Sequence, residues 1–144
     1  MVSTASVSPQ EQRVSLRRLL WVGPLTIIAA VVANTIIRFL AVSLLGISSA
    51  FPPLQPAQPI VFSVIGVLGA VIVFAIIGRF ARRPIRLFRV IALIALVLSL
   101  VPDIGLLTSN MMPGTSVLSV GVLMVMHIVA YAISVGMLTT LTRE

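Results

Sequence analysis

The sequence predicts an all-α integral membrane protein, a single bundle of four transmembrane helices. The 144 residues are 59% hydrophobic and only 9% charged, with mean hydropathy +1.21. A soluble domain carries about 25% charged residues, so this chain has too little polar surface to face water on all sides. The apolar residues gather in four stretches, each close to the ~20 residues that cross ~30 Å of hydrocarbon. The basic residues, all arginine, stand beside these stretches except for Arg38, and there they set orientation and meet anionic headgroups.

In chain order, residues 1–20 form an N-terminal segment. Residues 1–10 (MVSTASVSPQ) are small and polar without periodicity, which predicts disorder. Glu11 to Leu20 reads as a short basic helix at the membrane surface, carrying Arg13, Arg17 and Arg18. A cleaved signal peptide is not expected, because the apolar stretch that follows is far longer than a signal's hydrophobic region and no small-residue cleavage site is suitably placed. Residues 21–144 then make one four-helix domain.

The first span covers about residues 21–46, with Gly23-Pro24 suited to a helix start. The loop SSAFPPLQPAQP is proline-rich and predicted to be extended. The second span, about 60–78, presents Ser63, Gly66 and Ala70 as a small-residue face that permits close helix approach. Arg79, Arg82, Arg83, Arg86 and Arg89 follow as a basic turn at the membrane surface. The third span, about 86–107, has to continue through Pro102, since stopping at Val101 leaves roughly 18 Å of helix after Arg89. The fourth covers about 115–139. With four spans, the arginine-bearing segments share one side, which the positive-inside rule makes cytoplasmic for both termini. The expected location is the plasma (inner) membrane.

Within the spans the strongly polar groups are Asn34, Arg38, Asp103 and His127. By helical rise, Arg38 lies about 25 Å beyond Trp21, Asp103 about 21 Å beyond Arg89, and His127 about 18 Å from Thr139. All therefore fall between the midplane and the outer interface. Ala30, Asn34 and Arg38 share one helix face, as do His127, Tyr131 and Ser134. Ionisable groups at such depth are functional-site candidates by default. One reading pairs Arg38 with Asp103, with Asn34 and His127 completing a network that binds an anion or headgroup or relays protons. The other lets Arg38 snorkel to the outer interface, Asp103 cap a short helix, and His127 bond a neighbouring helix.

Other chemistries find little to stand on. No cysteine is present, which excludes disulfides and thiol redox chemistry. The net charge of +7 comes without the interleaved aromatics of a nucleic-acid surface. A haem would need a second axial ligand from a facing helix, whereas Met124 and Met126 share the helix of His127. One His and one Asp make no metal site, and Ser99 lacks a base and orienting group at any telling spacing. No cofactor, metal or enzymatic activity is expected.

From Arg86 onward, RLFRVIALIALVLSLVPD and LMVMHIVAYAISVGMLTTLTR resemble a family of small four-span bacterial membrane proteins of unknown function. ANTIIRFLAVSLLG and FPPLQP fit it more loosely. The resemblance implies the four-span architecture and carries no activity. Size and span number are also similar to small multidrug transporters, but the glutamate expected early in their first helix is missing. The expected role is structural or accessory, or that of a subunit in a larger membrane assembly. The alternative is a small oligomeric transporter or channel using Arg38, Asp103 and His127. Expected partners are the lipid bilayer, other membrane proteins or further copies of the chain, and no nucleic acid.

Overall fold

In the computed structural model, which describes residues 13–109 and 111–143, the four apolar stretches become four helices. They are α1 (Leu16–Leu44), α2 (Gln58–Phe80), α3 (Pro84–Ser109) and α4 (Val117–Leu141). Each is long and apolar enough to cross a membrane, and together they make a multi-pass four-helix bundle. In hydrocarbon every backbone N–H and C=O must find a partner inside its own segment, which is why the spans are helical. The disorder expected for residues 1–10 concerns positions outside the described residues.

The start of α1 differs from the sequence expectation. Instead of a separate surface helix ending before Pro24, one helix starts at Leu16 and carries Pro24 in its interior. The cause lies at the other end of the chain. Ser15 donates its N–H to the Thr142 carbonyl at 2.9 Å, Val14 bridges Arg143 in antiparallel fashion, and Arg18 Nη1 donates to the Arg143 carbonyl at 2.6 Å. Leu19 is buried beside Leu138 in the same apolar cluster. These contacts hold the first turns of α1 in line with the span, and outweigh the one helix bond that proline removes.

Two apolar clusters close the two ends of the bundle. At the arginine-rich end Leu19, Val22, Phe74, Ile77, Phe88 and Leu138 pack together, with Phe74 and Phe88 edge-to-face at 4.8 Å. At the opposite end Ala41, Ile47, Phe51, Leu54, Val120 and Met126 form the second cluster. The proline-rich loop is thus not an extended strap. It turns inward through a tight helical turn at Pro52–Leu54 and buries Phe51 and Leu54 completely. Gly114, in the α3–α4 connection, makes this closure possible. Its φ is +73°, and a Cβ there would stand 3.1 Å from the Phe51 nitrogen. Just beyond it, Ser116 caps α4 through a reciprocal pair of bonds with Ser119, satisfying otherwise orphaned N–H groups.

The helices are not evenly packed. Within the most apolar stretch of α3 only 6% of residues are buried, against 22% to 28% in the other three helices. α3 follows α2 after three residues (81–83), and the Phe74–Phe88 contact ties the pair at that end. Beyond it the two helices stand apart.

Candidate functional site: an intramembrane cleft

The gap between α2 and α3 is a cleft of about 680 Å³. Its two walls are α2, through Ser63, Gly66 and Ala70, and α3, through Ala92, Ser99 and Asp103. Its floor is α4, through Met126, His127, Tyr131 and Ser134, with Asn34 of α1 behind. α4 and α1 close the back and the Phe74–Phe88 contact closes the arginine-rich end, while exposed residues of α2 and α3 line the front, so the mouth faces sideways between these two helices. The rims are exposed apolar side chains such as Phe62 and Ile65. The volume lies within the roughly 300–1,000 Å³ of small-molecule sites, whose walls are likewise mostly apolar with a few polar groups.

The Ser63–Gly66–Ala70 face is divided: Ser63 meets Asn34 of α1 and Ala70 packs against the arginine-end cluster. A Cβ on Gly66 would meet nothing within 4 Å, so at Gly66 the face borders open space. Close approach of α1 and α2 occurs instead at Gly23, where a Cβ would stand 3.1 Å from a Val71 methyl.

The polar groups divide into two sets. Asn34, Asp103, His127 and Tyr131 all line the cleft. Arg38 is engaged elsewhere: its Nε donates to the Leu54 carbonyl at 2.7 Å, fastening the inward-turned loop to α1. The Arg38–Asp103 pair of the first reading does not form, and Asp103 stands beside His127 instead. Loop burial decides this, because folding Leu54 inward presents its carbonyl to Arg38 beside the outer apolar cluster.

α3 remains one helix through Pro102, and this carries Asp103 to a position where it is 5% exposed. Its Oδ2 stands 3.2 Å from His127 Nδ1. The same Nδ1 lies 2.9 Å from the Leu123 carbonyl one turn back on α4. A carbonyl and a carboxylate both accept, so a proton on Nδ1 would lie between Leu123 and Asp103. Asp103 Oδ2 is within ion-pair distance of the ring yet receives no directed hydrogen bond. On the facing side, Asn34 Nδ2 donates to Ser63 Oγ at 2.8 Å, joining α1 to α2. Asn34 Oδ1 is left buried without a partner.

Ser63 is the polar member that sequence reading assigned to packing; its position one helical turn from Gly66 on the cleft wall was the available signal. Met126 belongs to the outer apolar cluster and Met124 packs against it, so both act as core residues. Among the described residues no group of three His, Cys, Asp or Glu side chains is placed to hold a metal ion.

The chain matches the DUF6069 family, a family of unknown function, over residues 14–144, and belongs to it. No curated protein and no solved structure matches it.

Proposed function

We propose that this member of the DUF6069 family is a non-enzymatic accessory protein of the plasma membrane, whose α2–α3 cleft takes in an occupant dissolved in the bilayer. The observation that carries this reading is the sideways mouth of a mostly apolar cleft of about 680 Å³, with an apolar cluster at each end of the bundle. Access from lipid suits an apolar occupant. The same two clusters weigh against a channel running along the bundle axis, since neither end offers a polar path.

The arginine distribution supports a cytoplasmic location for both termini and the α2–α3 turn. Trp21, at 81% exposure, lies just after Arg17 and Arg18, where an aromatic ring suits the headgroup level. The test is native mass measurement of protein extracted in mild detergent, comparing wild type with Gly66→Leu. The variant fills the cleft from α2 without displacing any neighbouring atom within 4 Å of a new Cβ. Wild type is expected to retain a small-molecule mass that the variant lacks. Equal retained mass in the two would overturn the reading.

A further inference from the structure

Two buried side-chain atoms among the described residues have no directed hydrogen bond; both are acceptors, and both belong to residues that line the cleft. They are Asn34 Oδ1 and Asp103 Oδ2, on side chains of residues only 5% exposed. A buried acceptor without a donor costs on the order of 1–3 kcal/mol, and hydrocarbon supplies no water to relieve it. Several nearby donors are already committed, and the hydroxyls of Ser63, Tyr131 and Ser134, which also line the cleft, bond neither acceptor. Asn34 Nδ2 goes to Ser63, His127 Nδ1 is shared between Leu123 and Asp103, and the Ser99 hydroxyl goes to the Leu96 carbonyl of its own helix. Arg38 is held at Leu54. What these two acceptors lack is a directed donor, and one of them belongs to a carboxylic acid.

We propose that the cleft binds an ammonium-headed amphiphile, with its N–H donors directed to Asp103 and Asn34 and its apolar body between α2 and α3. This rests on the reading of the cleft as a bilayer-facing binding site and adds the chemistry of the head. The ammonium satisfies both acceptors and brings the charge that complements a carboxylate, as a hydroxyl head would not. A carboxylate head would bring only further acceptors. The mouth between the helices lets the apolar body extend toward lipid, so a long chain need not fit wholly inside. The same ammonium can arrive on a free long-chain amine or on an amino-phospholipid.

The experiment uses the full chain in phosphatidylcholine nanodiscs, titrated with radiolabelled hexadecylamine and, separately, with radiolabelled hexadecanoic acid, each corrected by empty discs. The amine is expected to bind at least ten-fold more tightly than the acid. Asp103→Asn is expected to weaken the amine at least ten-fold. Asn34→Leu, which removes the second acceptor, serves the same purpose if Asp103→Asn fails to fold. Phosphatidylethanolamine included in the disc identifies the source: competition points to a lipid headgroup, and its absence to a free amine, with the head assignment supported in both cases. Equal binding of amine and acid, or amine binding indifferent to the acceptor substitutions, overturns the head assignment. If Gly66→Leu still abolishes that binding, the cleft reading stands without it. No saturable binding of either probe to wild type overturns the two together.

Discussion

The guanidinium of Arg38 donates to the main-chain carbonyl of Leu54, 2.7 Å away and sixteen residues further along the chain. A cation near the loop-bearing end of a span is thus spent on holding a loop, and the loop carries Phe51 and Leu54 into the bundle. Arg38→Met is expected to lower stability by about 1.5–3 kcal/mol, the range for a hydrogen bond to a charged group. Faster hydrogen exchange confined to residues 51–57 would identify the loop as what is released. Unchanged exchange there would show that the bond does not hold it.

The Asn34–Ser63 bond joins α1 and α2 inside the span. Interhelical hydrogen bonds in membranes contribute about 0.6 kcal/mol on average and at most about 1.7. A double-mutant cycle with Asn34→Ala and Ser63→Ala, read by unfolding in detergent, is expected to return a coupling in that range. A coupling of zero would mean that the two side chains do not meet.

Two glycines should respond in opposite directions. Gly114 holds a left-handed φ of +73° against the Phe51 nitrogen, so Gly114→Ala is expected to cost at least ~1–2 kcal/mol. Gly66 faces open cleft within α2, so Gly66→Ala should gain roughly 0.5–1 kcal/mol in helix propensity. Thermal denaturation of the two variants side by side checks both. A loss at Gly66 equal to that at Gly114 would contradict the open cleft.

The absence of native cysteine makes orientation simple to map. A membrane-impermeant thiol reagent applied to intact cells is expected to label Gln55→Cys and to spare Arg82→Cys. The reverse pattern would invert the topology.

The four helices were legible because crossing hydrocarbon leaves so few solutions. The passage of α3 through Pro102 followed from length alone, since a helix stopped at Val101 is too short. Spacing showed that Ser63, Gly66 and Ala70 share a face, but not what that face meets; a cleft wall and a tight contact ask for the same small residues. The partner of Arg38 was hidden for a related reason. Its acceptor is a backbone carbonyl, present at every residue, and reaches Arg38 only after Phe51 and Leu54 have folded inward. Asn34, Asp103, His127 and Tyr131 were foreseeable as neighbours because depth and helix face together locate a side chain. That α1 runs on from the basic segment without a break was not legible, because the Ser15–Thr142 bond beside its first turn joins residues far apart in sequence.

The sideways mouth also determines which concentration the cleft senses. An opening onto hydrocarbon equilibrates with the two-dimensional bilayer, so its occupancy follows the mole fraction of occupant among lipids rather than an aqueous molarity. Adding buffer at constant membrane composition leaves the occupancy of a strongly partitioning occupant almost unchanged, whereas adding lipid empties the cleft. A dissociation constant expressed per litre would therefore drift with the lipid-to-protein ratio, while the same constant expressed per lipid would hold steady.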